Sequence, residues 1–348
     1  MLSIPRIIQI SSRLPYNLRC FSEEAAKDSG KIEPTMMVHG GAGALFDSIV
    51  VSKLEGVKAA VQVGYKALIK GNAADAVEQA IRCMDDSDHF NSGKGSMLTV
   101  KGEVENDAVI MSGNLNIGAV SCCQNIEHPI LNIGAVSKIR CCQNIEHPIS
   151  LSRLIMDKAP CSLLSGAGAT EFASRYGMKI LEPGALVTPR AKHLLENFKK
   201  FEGMETGIVG AVALDKNGML CAGTSSGGPN SKPSGRSCCC LAGCQVYTHN
   251  AVGAVALTGE GESILRTCLA YLIISNIKNG LSPSEAIQKG LFLMDMRLHT
   301  AGGAIALGRN GEIGFYFNTK RMPWAYQVGN SIHFGVEKGE HNIEETKI

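Results

Sequence analysis

Cysteines and hydroxyl side chains are the residues of this 348-residue chain best placed to do chemistry. The thirteen cysteines fall largely as doublets and a triplet: Cys122-Cys123, Cys141-Cys142 and Cys238-Cys239-Cys240. There is no pair of C-x-x-C elements and no Cys/His spacing of a zinc site. Nor does an odd count in this grouping make the disulfide framework of a small secreted domain. The thiols read as small buried side chains in a reducing compartment, with the cluster from Cys238 to Cys244 open to incidental oxidation. The hydroxyl question centres on "ETGIVGAVALD", Glu205 to Asp215. Its apolar run, bounded by charges, fits a strand covered on both faces. Thr206 carries a hydroxyl just ahead of the run, and Ile208 opens it with none.

Those residues need elements to position them. The folded part is expected to start at Thr35, with Met36 to Val38 as a short strand and His39-Gly40-Gly41-Ala42-Gly43 as a turn. Leu54, Val57, Ala60, Val61, Gly64, Ala67 and Leu68 recur at spacings of three and four, which predicts a helix closed by Gly71. A second helix follows, with Asn72 as its N-cap. Residues 89–113 read as strand, turn at Lys101-Gly102, strand. "LNIGAVS" occurs at 115–121 and 131–137, and "CCQNIEHPI" at 122–130 and 141–149. This is one tandem duplication, too short for a solenoid. Both copies compete for one strand slot, so one must loop out or add an edge strand.

Two further helices end at Pro160 and Gly177. Residues 183–207, with two prolines and many charges, read as a surface linker. Strands return with a hairpin turn at Asn217-Gly218, then in 251–259, 301–317 and 331–336. A helix pair, near Ser263 to Ile277 and Ser282 to Met296, separates them. Strand groups alternating with helix pairs predict sheets layered between helices.

"VHGGAG" (38–43), "GNAADAVEQAI" (71–81), "FNSGKGS" (90–96), "GEVENDA" (102–108), "GAVALD" (210–215), "TGEGES" (258–263) and "MPWA" (322–325) follow in one order. Together they resemble the plant-type asparaginase and isoaspartyl peptidase family, across nearly all of the chain after Thr35. The resemblance implies an α+β fold, the αββα sandwich of the N-terminal nucleophile hydrolases. It also implies a single domain over 35–340, cut by the chain itself into an α-subunit-like part (35–207) and a β-subunit-like part (208–340), with 1–34 as an extension and 341–348 as a tail. The substrates implied are asparagine and β-aspartyl dipeptides, and the nucleophile a threonine that becomes N-terminal on cleavage.

That chemistry takes nucleophile and base from one residue. The hydroxyl attacks the preceding carbonyl, and the freed α-amino group, with a pKa of roughly 7.7–8, then serves as base. In this chain the implied nucleophile position is Ile208. Thr206 would sit about 6.6 Å away along a strand, beyond near-attack geometry. The resemblance further implies that Ser226 stands where a second threonine bonds the nucleophile, and that Asn91 lies near it. On its own terms Asn91 reads equally as a turn residue. Arg236 matches the arginine that clamps the substrate α-carboxylate, a task that suits its planar fork, though it reads equally as a surface arginine. Thr258 and Gly259 match the oxyanion pair, and Gly261 a substrate-contacting glycine. The aspartate implied three residues after the arginine is absent, and Cys239 stands there. A structural sodium held by main-chain carbonyls of Met84, Asp85, Phe90, Ser92 and Lys94 is also implied. No other cofactor is expected.

Three readings result: an uncleaved member without hydrolase activity, a working hydrolase with another nucleophile, or a binding or scaffold protein built on the same fold. Partners expected are a small amino acid or dipeptide and a second copy of the chain, as a homodimer. The formal net charge of +2 gives no reason to expect nucleic acid or an anionic membrane, and no apolar stretch reaches transmembrane length. Hydrophobic residues at 45% and charged residues at 19% predict a packed core. The first thirty residues carry Arg6, Arg13 and Arg19 and no acid before Glu23. They fit a mitochondrial transit peptide, while Pro5 and Pro15 fit an extension with no address, which would leave the chain cytoplasmic.

Overall fold

The computed structural model describes residues 32–121, 145–182, 184–201, 207–237 and 240–347. The first element is β1 (Thr35–His39), followed by α1 (Asp47–Lys70) and α2 (Ala73–Asp85), a 3-10 turn at Gly93–Gly95, then β2 (Asp107–Ser112) and β3 (Ile117–Ser121). Next come α3 (Pro148–Lys158), β4 (Leu163–Ser165), α4 (Gly166–Arg175), α5 (Pro189–Glu196) and α6 (Phe198–Phe201). β5 (Val209–Leu214), β6 (Leu220–Ser226), β7 (Val246–His249) and β8 (Gly253–Gly259) precede α7 (Gly261–Thr267), α8 (Leu269–Lys278) and α9 (Pro283–Leu298). β9 (Gly302–Gly308), β10 (Ile313–Phe317), β11 (Trp324–Val328), β12 (Ser331–Gly335) and β13 (Asn342–Glu345) complete the order.

Among the described residues these strands form two sheets. One runs β13-β12-β11-β1-β5-β6-β2-β3-β4, the other β10-β9-β8-β7. Side-chain alternation along β5 explains the layering. Val209, Ala211 and Ala213 face the core shared with α1, α2 and α3, whereas Ile208, Val212 and Leu214 face the core shared with the second sheet and with α8 and α9. Every residue of β5 is buried, as its unbroken apolar run requires. Helices, sheet, sheet, helices is the αββα order that the resemblance implies.

Local chemistry sets the element ends. The Asn72 side chain accepts from the amides of Ala74 and Asp75 and starts α2. Gly218, at φ +77, makes the β5–β6 turn. The expected hairpin in 89–113 reduces to one bridge, Leu98 to Val104, ahead of β2. Of the duplicated segment, the first copy supplies β3, which pairs with β2. The last residues of the second copy enter α3, with Pro148 in its first turn, and the segment between lies outside the described residues. Residues 183–207, expected as a linker, contain α5 and α6. Thr188 caps α5 and Pro189 opens it, and Ala191 packs with Leu98, Val104 and Leu186. Residues 342–345, read as tail, pair with β12 as an edge strand. No described helix is long and apolar enough to cross a membrane.

Candidate active site

Ile208 is held between two neighbouring segments, the end of β8 and the turn after β1. Its N–H donates to Thr258 Oγ1 at 3.3 Å, and the Ala42 N–H donates to the same oxygen at 3.1 Å. With both lone pairs of that hydroxyl engaged, its O–H remains as a donor. Gly41, at φ +100, passes so close that an added Cβ would lie 2.6 Å from Gly207 Cα. Only glycine meets both demands. His39 lies over Gly210, where a Cβ would come within 2.3 Å of its Nε2. Burial lowers the His39 pKa to about 3 against an opposing contribution from the Ile208 backbone, so the ring is neutral at pH 7. Lys53 Nζ donates to the Gly40 carbonyl at 3.2 Å and stands 5.3 Å from the Phe90 ring centroid.

Ile208 borders a cavity of about 150 Å³ at the ends of β5, β6 and β8. Asn91, Ser226, Arg236, Gly259 and Gly261 line it as well, so the structure brings together the expected catalytic and substrate residues except Thr258, which anchors Ile208 instead. Asn91 is more than a turn residue. Its Nδ2 donates to the Gly228 carbonyl at 2.7 Å and its Oδ1 accepts from Met97 N–H at 2.8 Å, tying two pocket loops together. Ser226 Oγ accepts from Gly228 N–H at 3.0 Å. Gly259, at φ +144, is wedged against Gly302, and an added Cβ would sit 2.8 Å from Gly302 Cα.

Arg236 donates from Nε and Nη2 to Glu262 Oε1, at 3.0 and 2.5 Å. Burial alone would raise the Glu262 carboxyl, but hydrogen bonds with Glu260 and Arg236 outweigh it and hold the group below its usual range. Glu260 caps α7, accepting from the Glu262 and Ser263 amides. Behind the pocket wall, Lys232 Nζ donates to the Glu105 carbonyl at 2.8 Å and stands 4.0 Å from its carboxylate, both side chains fully buried. Burial raises the Glu105 carboxyl, while the Gly235 N–H and Lys232 oppose that shift. An added Cβ on Gly228 would lie 3.1 Å from Lys232 Nζ and 3.2 Å from Arg236 Nη1, so the buried lysine braces the segment that carries the arginine.

The loop implied to hold sodium has the chemistry of a hard-cation site. Added Cβ atoms at Gly93 and Gly95 would meet the carbonyl oxygens of Asp85 and Phe90 at 2.4 and 2.0 Å, so main-chain oxygens crowd this turn. Ser92 and Lys94 are part of the same turn. The Met84 carbonyl accepts from Ser87 N–H at 3.1 Å and the Ser92 carbonyl from Gly95 N–H at 3.0 Å, so each keeps one lone pair. The Asp85 carboxylate is buried with no well-formed hydrogen bond, and the Ser92 and Ser225 hydroxyls beside it are in the same condition. Burial pushes the Asp85 carboxyl up to about 7. Carbonyl oxygens and a buried, poorly satisfied carboxylate fit a small hard cation.

Sequence reasoning missed Lys53, Lys232, Glu260 and Glu262. The buried face of α1 carried a signal for one of them, since Lys53 stands four residues before Val57 on the apolar stripe. Cys239 and Thr206 lie outside the described residues. Within the described lining, the one hydroxyl is that of Ser226, and no histidine, lysine or cysteine accompanies it. The carboxylates present are committed to Arg236 and to the start of α7. The arrangement can bind a small polar molecule, and Ile208 offers it no nucleophile.

A sequence model of a family described as Asparaginase matches residues 32–131 and 130–336. The two blocks meet where the first copy of the duplicated segment ends. Among curated proteins, the isoaspartyl peptidase/L-asparaginase of Xenopus laevis is 38% identical over 322 residues, covering 90% of this chain and 98% of its own. The human protein of the same name is 37% identical over 325 residues, covering 90% and 99%. That of Danio rerio is 35% identical over 322 residues, covering 89% and 97%.

Proposed function

Because the chain belongs to the isoaspartyl peptidase/L-asparaginase family, we propose that it is a member without the family's hydrolysis, uncleaved at Gly207–Ile208, that keeps the pocket as a binding site for a small amino acid or dipeptide. The observation that carries this reading is Ile208 itself. It stands at the head of β5, 4% exposed, on the wall of the pocket, with an aliphatic side chain where the family's chemistry takes a hydroxyl. An isoleucine can neither attack the Gly207 carbonyl nor form an acyl intermediate, and without cleavage no free α-amino group arises to act as base.

Binding is a separate matter, and the pocket supports it. Arg236 offers a guanidinium for a carboxylate, Asn91 and Ser226 add polar contacts, and Glu262 shares the arginine until a ligand competes for it. Absence of the aspartate at Cys239 removes a partner for a substrate ammonium. A charge-assisted hydrogen bond of that kind is worth about 1.5–3 kcal/mol, so affinity for amino acids is weakened but not abolished. The test is calorimetric titration of the full chain with L-aspartate, L-asparagine and a β-aspartyl dipeptide, with product release followed in parallel. Binding lost in Arg236→Gln, without release of aspartate, is the expected result. Sustained release of aspartate by the unmodified chain overturns the proposal.

Two further features belong to this reading. Sodium at the 84–95 loop would be structural, held by carbonyls of Met84, Asp85, Phe90, Ser92 and Lys94 with Asp85 as nearby charge. A melting temperature higher in sodium chloride than in choline chloride of equal strength is the expected sign. A homodimer is supported by two large apolar side chains exposed on α9, Phe292 and Met296. Sedimentation velocity checks it.

A further inference from the structure

Two thiols outside the pocket meet where α7 ends. Cys268 sits between α7 and α8 in the left-handed region, at φ 46, and is exposed. Cys244 is buried in the turn that leads to β7. Consecutive backbone bonds fasten the two segments together, from Ala270 N–H to the Cys244 carbonyl and from Tyr271 N–H to the Gly243 carbonyl, each 3.0 Å. Edge-to-face contact of Tyr247 with Tyr271, with centroids 5.2 Å apart, adds to the junction. The Cys268 thiol donates to the Leu265 carbonyl at 3.8 Å, and it stands close enough to Cys244 to shift the titration of that thiol. Cys240, the other buried thiol nearby, is turned to the Asp107 carbonyl at 3.6 Å.

We propose that Cys244 and Cys268 are a dithiol modification site that closes reversibly to a disulfide on reaction with a small disulfide of the glutathione type. The Cys268 thiolate, open to solvent, attacks the small disulfide, forms a mixed disulfide and releases one thiol. Cys244 then gives up its proton to solvent, attacks the Cys268 sulfur and expels the second thiol. Two protein thiols are oxidised to one disulfide, and one small disulfide is reduced to two thiols.

The division of roles follows from the surroundings. Burial, and then the neighbouring Cys268, push the Cys244 thiol up to about 11. Cys244 is therefore a poor point of entry and the slow, resolving partner. Ring closure should accelerate about tenfold per pH unit over neutral to mildly alkaline pH as its thiolate fraction grows. The link would tie the segment that follows Arg236 to the end of α7, the helix whose first turn carries Glu262, the partner of Arg236.

The test treats the reduced full chain with oxidised glutathione at pH 8, quenches with an alkylating agent, and maps disulfides by mass spectrometry without reduction. The expected product is a Cys244–Cys268 cross-linked peptide, removed by dithiothreitol and formed faster at pH 8 than at pH 7. Exposed Cys161 serves as control and should retain glutathione as a mixed disulfide. Cys244→Ser should leave glutathione trapped on Cys268, and Cys268→Ser should leave Cys244 unmodified. Glutathione remaining on Cys268 of the unsubstituted chain, or Cys244 joined to any other cysteine, overturns the proposal. Because the decisive map is made on the unsubstituted chain, it stands even if a variant folds poorly.

Discussion

Replacing Ile208 with threonine puts a hydroxyl back at the head of β5 and asks whether the surrounding scaffold still supports chain cleavage. The cost to stability can be worked from the burial. The change removes roughly two methylene equivalents from a side chain only 4% exposed, about 1.6 kcal/mol at 0.8 per group. Burying the new hydroxyl unbonded adds about 1–3 kcal/mol, and a hydrogen bond within the pocket cancels most of that. A fall of about 2–4 kcal/mol overall is tolerable for a domain of this size, at roughly 2–4 °C per kcal/mol. The anchors that hold the Gly207–208 amide do not involve the side chain being changed. They are the Thr258 hydroxyl and the Gly41 approach. Ile208→Thr should therefore cleave itself over days at neutral pH, read on a denaturing gel and by intact mass, giving a fragment that begins at residue 208. Hydrolysis of asparagine should still be about 10- to 100-fold below that of a relative with the full site, because the ammonium partner is missing. A folded variant that stays intact refutes the inference that the scissile geometry persists. Turnover equal to such a relative refutes the reading of Cys239.

Lys232→Met should destabilise the fold by about 3–5 kcal/mol, since it strands Glu105 in a fully buried position; urea melts measure this. Gly41→Ala should cost more than 2 kcal/mol in the same assay, because φ +100 and a backbone contact at 2.6 Å leave no cheap relaxation. Asp85→Asn should change the pH dependence of stability. The Asp85 carboxyl is raised from 3.8 to about 7 in the fold, so the native state holds a proton that the unfolded chain releases, and stability falls as pH rises through that window. The asparagine variant lacks this loss. In sodium-free buffer its stability relative to the unsubstituted chain should climb by about 1.4 kcal/mol per unit between pH 4 and 7 and then level off. A flat difference would show that Asp85 is ionised throughout.

Much of this architecture was legible before the coordinates because periodicity reports burial directly. The unbroken run of β5 announced a strand with two covered faces, and the α1 and α2 stripes announced their helices. What escaped depended on partners distant in sequence. β11 and β13 become strands because β1 and β12 offer edges to pair with, and their own residues give no comparable signal. α5 hid in a charged, proline-bearing stretch because its apolar contacts are few and come in part from distant residues 98 and 104. The pocket residues were found through motif resemblance, whose order fixes which loops converge. Spacing could not show that Glu262 would occupy Arg236, or that Glu260 would cap α7, since both depend on how the 226–237 loop folds over the helix start.

The most direct test of the central claim is the intact mass of the unsubstituted chain, kept for days at neutral pH and then denatured. One full-length species is the predicted result, since the residue that would cut at 207–208 has no hydroxyl. Two fragments, the second starting at Ile208 or nearby on N-terminal sequencing, would contradict the account and identify another group as the nucleophile.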